Sequence, residues 1–136
     1  MTLEFLVERW EDQRTIKNLM GKYVNCLLLN RQGEIFDSFF SKKADVCLTF
    51  NDGSYVGPEA IRGYFDAIVA RNLLSAQLLQ KRLPEKLGSK SDEEIYGIGP
   101  FHVKPLTAPV IEVAEDGETA KGLWFCLGCN AEVTTR

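Results

Sequence analysis

The sequence predicts an α+β domain in which helices come first and an antiparallel hairpin, coming later, is covered by them. Two observations carry that reading: apolar residues recur at helical spacing through the first half, and two β-branched, aromatic runs flank Asp116-Gly117 in the second. A hairpin this apolar needs a second layer over it, and the segments able to supply one precede it in the chain.

Residues 3–30 read as helix, with a break allowed around Trp10 to Gln13. Ile16, Leu19, Met20, Tyr23 and Leu27 form its apolar face, while Leu3, Leu6, Val7 and Trp10 form a shorter stripe before it. Asn30 to Gly33 is a polar break. A second short helix over 34–40 presents Ile35, Phe36, Phe39 and Phe40, an aromatic wedge that has to pack against a hydrophobic layer and is expected under the sheet.

Asp45 to Phe50 reads as a strand, Asn51-Asp52-Gly53 as a turn, and Ser54 to Val56 as a second strand. Gly57-Pro58 then opens a helix, with proline at the first helical position where its missing N–H costs nothing. Ile61, Tyr64, Phe65, Ile68 and Val69 follow at helical spacing, and the pattern runs on through Leu78 to an end before Pro84.

Residues 84–100 are polar and rich in glycine and proline. They read as a long surface loop, and loops of that length are either mobile or functional. The long hairpin follows. With Asp116 and Gly117 as a two-residue type I′ loop, Val113 faces Ala120, Glu112 faces Lys121 and Val110 faces Leu123. Pro105 and Pro109 interrupt its first strand and belong at an edge or a bulge.

The chain of 136 residues suits one domain, 1–136. Sixteen Lys and Arg against nineteen Asp and Glu leave a net charge of −3, which provides no field for a phosphate backbone and argues against nucleic acid. No signal peptide or membrane span is legible, so a cytoplasmic protein without a membrane partner is expected. Cys26, Cys47, Cys126 and Cys129 are read as reduced, buried thiols. Cys126-Leu-Gly-Cys129 has the spacing of a zinc half-site but lacks a second pair, so no metal and no cofactor is expected.

Several strings in this order resemble the SnoaL-like polyketide cyclase family of the nuclear-transport-factor-2-like superfamily, which includes ketosteroid isomerase and scytalone dehydratase. They are Lys22-Tyr23-Val24, the segment Ile35 to Phe40, the run Tyr55 to Phe65, and His102 followed by Pro109 to Val113. The resemblance implies a cone-shaped, strongly curved antiparallel sheet wrapped around helices, with an apolar cavity between them and a homodimer formed through the sheet. The family has two further long strands after the one matching Ala120 to Asn130. This chain would then be C-terminally truncated, with Leu123, Phe125 and Leu127 beside an open edge.

The resemblance also places a candidate site. His102, the sole histidine, matches a histidine used by scytalone dehydratase and is the candidate acid or base. That enzyme's second strand histidine falls at Trp124, and its helix-end tyrosine and aspartate fall near Leu28 and Leu29. Tyr23 matches the oxyanion-stabilising tyrosine of ketosteroid isomerase, whose base aspartate aligns with Leu48. A histidine making a structural hydrogen bond and a tyrosine packed in a core are the competing readings. Phe39, Tyr64, Phe65 and Trp124 are the expected ligand-binding residues. By strand parity His102 and Trp124 share a face only if a bulge, at Pro105 or Pro109, shifts the register. Two functions follow: a module binding a small hydrophobic or aromatic molecule, or a lyase, isomerase or cyclase acting on a small cyclic compound.

Overall fold

A computed structural model describes residues 2–50, 53–98 and 101–131. The first helix, α1 (Leu3–Leu28), is continuous, with no break at Trp10 to Gln13, and its N-terminus is capped by Thr2, whose hydroxyl accepts from the Phe5 N–H. Asn30 stops it by taking a left-handed conformation, φ 55°, which asparagine tolerates. A 3₁₀ turn, Gln32–Glu34, leads directly into α2 (Ile35–Phe39). There Ile35 and Phe36 are fully buried.

Strands β1 (Cys47–Phe50) and β2 (Gly53–Val56) form the small hairpin, pairing Cys47 with Val56 and Leu48 with Tyr55. The expected turn residues Asn51 and Asp52 lie outside the described residues. Helix α3 (Pro58–Arg82) starts at the predicted proline and runs four residues past Leu78, with Lys81 and Arg82 placed favourably in its last turn. Its buried Ile61 and Phe65 meet Ile35 and Phe36 to form the main core, with Tyr23, Cys26 and Leu27 of α1 packed on one side and Leu48 and Tyr55 of the small hairpin on another. Burying each of these four large side chains is worth about 1.5–3 kcal/mol. The aromatic wedge of α2 therefore packs among α1, α3 and the small hairpin.

The segment 84–100 is not the plain loop expected from its composition. It contains α4 (Pro84–Leu87) and α5 (Asp92–Ile98), whose Leu87 and Ile95 are buried against Ala76 of α3 in a second core. Two devices hold it. Ser91 and Glu94 form a reciprocal capping box, the Ser91 hydroxyl accepting from the Glu94 N–H and the Glu94 carboxylate from the Ser91 N–H at 2.8 Å. Gln80 of α3 donates from its amide nitrogen towards the carbonyls of Leu87, Gly88 and Lys90, tying that turn to the helix.

Three antiparallel pairs make up the strands of the described residues. The last two belong to one irregular hairpin: β3 (Phe101–Val103) pairs β6 (Cys129–Ala131), and β4 (Val110–Val113) pairs β5 (Ala120–Leu123). Val113 faces Ala120, Glu112 faces Lys121 and Val110 faces Leu123, the register read from the sequence. The loop is different from the expected type I′ turn. Only Gly117 has positive φ, 75°, and its N–H bonds the Ala114 carbonyl, while the Asp116 carboxylate accepts from the Glu118 N–H. A turn over 114–117 closed by a left-handed glycine needs one positive φ, so Asp116 is spared.

Between the two pairs an isolated bridge joins Leu106 to Cys126. From Leu106 to Val110 the first strand takes four steps, whereas from Leu123 to Cys126 the second takes three. One extra residue is therefore accommodated beside Pro109, and the hydroxyl of Thr107 completes the gap, donating to the Phe125 carbonyl and accepting from the Phe125 N–H.

Candidate functional site

Four of the six residues expected around a cavity are brought together in the main core. Tyr23 comes from α1, Phe39 from α2, and Tyr64 and Phe65 from α3. Tyr23 meets Phe39 edge-on at 5.9 Å between ring centres, and Tyr64 meets Phe65 edge-on at 5.3 Å. These are the offset geometries that aromatic quadrupoles favour. Tyr55 of β2 and Phe50 of β1 extend the cluster over Tyr64, at 4.7 and 5.1 Å, and Phe40 joins it through Phe65 at 5.7 Å.

The cluster is incompletely covered. Phe65 is buried, but Tyr23, Phe39, Tyr55 and Tyr64 are only half-buried and Phe50 is exposed. Burial, with the neighbouring Tyr64 second, pushes the Tyr23 phenol above its ordinary value of 10.0. Tyr23 is thus a neutral hydroxyl at physiological pH and can donate a hydrogen bond inside an apolar surround.

Trp124 is not part of that cluster. Its indole folds back over Gly122, where a Cβ would collide with the ring, and it shares a strand face with Ile111 and Val113. In backbone register, positions 102 and 124 fall in phase because the extra residue lies on the opposite strand between them. The His102 side chain itself lies outside the described residues.

Helix α1 links the cluster to the hairpin. Towards its N-terminal end, Arg9 stacks over Phe5 at 4.8 Å, pairs with Asp12 at 3.4 Å and donates to the Glu115 carbonyl at the hairpin loop. A shallow groove at that loop is lined by Glu112, Glu115, Thr119 and Lys121 among others, and shares no lining residue with the aromatic cluster.

Cys47, Cys126 and Cys129 are exposed and Cys26 is half-buried, so the expectation of buried thiols holds for none of them fully; all four are free. For Cys126 and Cys129 the reason is that residues 125–129 of the long hairpin are exposed on both faces. Among the described residues no cluster of three His, Cys, Asp or Glu side chains is placed to hold a metal ion. No helix among them is long and apolar enough to cross a membrane.

One polar residue escaped the sequence reading. Gln32, taken as part of a polar break, is 4% exposed at the junction of α1, α2 and α3, and its side-chain nitrogen donates to the Leu27 carbonyl at 3.2 Å. Nothing in the local sequence distinguishes it from the exposed Arg31 beside it. Tyr55 likewise joins the cluster without having been expected there, since the sequence reading placed it only on the second strand of the small hairpin.

The fold and the cluster define an α+β protein with a half-open aromatic surface around two tyrosines. No family model, curated protein or solved structure matches the chain. These comparisons do not bear on the SnoaL-like resemblance, which rests on the strings quoted above.

Proposed function

We propose that this chain is a cytoplasmic SnoaL-like domain that binds a small hydrophobic or aromatic molecule, with its strands arranged as part of a cone-shaped sheet around the helices. The observation that carries the reading is the half-open aromatic cluster. Rings from α1, α2, α3 and the small hairpin converge on Tyr23 and Tyr64, yet each tyrosine keeps part of its surface uncovered. A mostly apolar surface with a few neutral hydroxyls suits a planar organic molecule better than a phosphate or sugar. The order of elements and the strand bulge beside Pro109 support the family likeness.

Thermal shift with 2-naphthol and estradiol, using glucose 6-phosphate as the polar control, tests this proposal. Both aromatic compounds should raise the melting temperature and the control should not. Tyr23→Ala should weaken binding of both. Absence of any shift, or unchanged affinity in Tyr23→Ala, would overturn the assignment.

A catalytic reading draws on the in-phase register of positions 102 and 124. In it the domain is a lyase, isomerase or cyclase, with His102 as acid or base and Tyr23 as donor. Replacing His102 with Gln should then lower turnover of a bound cyclic compound about 100-fold, the usual worth of one acid–base group. Equal turnover in the two proteins would leave the binding module.

We also propose a homodimer through the long hairpin. Val110, Leu123, Phe125 and Leu127 expose a row of large apolar side chains on it, and such rows favour association. Sedimentation at micromolar concentration should show a dimer that Phe125→Asp dissociates. A wild-type monomer under those conditions would refute it.

A further inference from the structure

Helix α1 is apolar on two sides. Ile16, Met20, Tyr23 and Leu27 share its half-buried side, from which Tyr23 and Leu27 pack on the main core. Leu3, Leu6, Val7 and Trp10 form a second stripe, centred about 120° away round the helix at about 100° per residue. Because α1 runs without a break, both stripes cannot turn into one layer. The second stays in water: Leu3 and Trp10 are 78% and 75% exposed, Leu6 and Val7 47% and 50%. Apolar residues at i, i+3, i+4 and i+7 on an exposed helix mark a face that meets another apolar surface.

Charge and length narrow what that surface is. From Leu3 to Gln13 the helix carries Glu4, Glu8, Glu11 and Asp12 against Arg9, an acidic border unlike the lysines and arginines by which interfacial helices hold lipid. Beyond Trp10 the same stripe continues as Arg14 and Lys17, both exposed, with Arg14 shared by Glu11 at 2.6 Å. The matching surface is therefore an apolar row that ends in carboxylates. The long hairpin has that form. Leu127, Phe125 and the paired Leu123 and Val110 lie along it exposed, and the loop beyond them carries Glu115, Asp116 and Glu118. Leu123 to Leu127 spans about 13 Å of strand and Leu3 to Trp10 about 10 Å of helix, so the rows agree in length as well as in order. Within one chain the hairpin reaches α1 through β4 and the Arg9 bond to the Glu115 carbonyl, and both rows remain exposed.

Resting on the dimer reading above, we infer that the Leu3, Leu6, Val7 and Trp10 stripe of one copy seats the hairpin row of a second copy, with Leu127 towards Leu3 and the acidic loop towards Arg14 and Lys17. A two-fold dimer makes this contact twice, stripe on hairpin and hairpin on stripe. Packing hairpin directly on hairpin would cover one row and leave the helix stripe of each chain in water. The reciprocal arrangement covers both and sets opposite charges together.

The test is complementation between two variants, followed by sedimentation velocity. Val7→Asp breaks the stripe and Phe125→Asp breaks the hairpin row, and each alone should raise the dimer dissociation constant by roughly tenfold or more, since a charge would be buried in both contacts. An equimolar mixture should dimerise more tightly than either variant alone, because the heterodimer keeps one contact intact, the stripe of the Phe125→Asp chain on the hairpin of the Val7→Asp chain. A second readout leaves the interface unaltered: in Trp124→Phe, which makes Trp10 the sole tryptophan, the emission should shift to the red on dilution from micromolar to nanomolar protein. Val7→Asp that dimerises like wild type would overturn the helix seat and leave the hairpin dimer standing. No gain on mixing, or Trp10 emission independent of concentration, would also overturn the seat. A wild-type monomer would overturn the dimer and its seat together.

Discussion

Around Ile35, Phe36, Ile61 and Phe65 the large apolar side chains are out of water, whereas in the long hairpin Val110, Leu123, Phe125 and Leu127 stay more than half exposed. The two regions are similarly apolar in sequence but are held together by different means. The core is specified by burial from three helices and a small hairpin, so its stability is collective. The hairpin is specified locally, by a left-handed Gly117, cross-strand pairing and the Thr107 hydroxyl at its bulge. A two-stranded hairpin alone is marginal in water. Its attachment to the helices runs through α1, where Arg9 holds the Glu115 carbonyl.

If that contrast is right, mutations in the two regions should differ both in size and in reach. The largest effect is expected for Phe65→Ala, which should cost about 3–5 kcal/mol in urea unfolding. It should lower protection from hydrogen exchange throughout α1, α2 and α3. Ile95→Ala should cost about 2–5 kcal/mol by the same cavity mechanism, but with the loss concentrated in α4, α5 and the end of α3, because the second core is separate. Uniform loss of protection across the chain would show that the two cores act as one.

In the hairpin the effects should be smaller and local. Gly117→Ala forces a side chain into left-handed backbone and towards the Arg9 guanidinium, 3.1 Å from where its Cβ would lie. The cost should be roughly 1 kcal/mol, seen as loss of the Val113 and Ala120 pairing signals in NMR. Leu123→Ser, measured at a dilution where copies do not meet, should change unfolding free energy by no more than about 0.5 kcal/mol. A larger loss would mean that the hairpin face is covered within one chain, and would break the contrast.

The smallest effect concerns the charged rim of the main core. Hydrogen bonding from Arg62 holds the exposed Asp37 carboxyl below its ordinary value of 3.8. A depressed value stabilises the fold above 3.8, and this contribution is lost as pH falls below that through the folded value. Thermal melts of wild type and Asp37→Asn should therefore differ slightly at neutral pH and converge in strong acid. A gap that widens in acid would reverse the assignment.

Much of this was legible before the structure. The helix starts at Leu3 and Pro58, the aromatic face of α2 and the pairing of Glu112 with Lys121 all follow from local rules of periodicity, proline placement and turn placement. The capping box at Ser91 to Glu94 was equally present in the sequence, but the reading of 84–100 rested on its polar, glycine- and proline-rich composition and passed over it. Tyr23, Phe39, Tyr64 and Phe65 could be read as neighbours because helical spacing aims each of them at one layer. Trp124 could not, since the direction of its ring depends on the space that Gly122 leaves.

By itself, then, the sequence determined where α1, α2, α3 and the two hairpins lie, which face of each helix is apolar, and the register beside the long hairpin's loop, because those depend on contacts within a few residues or across one turn. The tertiary structure alone decided that Gln32 is buried with an acceptor unpaired among the described residues, that Leu87 and Ile95 build a second core on α3, and that three of the four cysteines face outward. Burial is a property of what arrives from elsewhere in the chain, and no local pattern of residues encodes it.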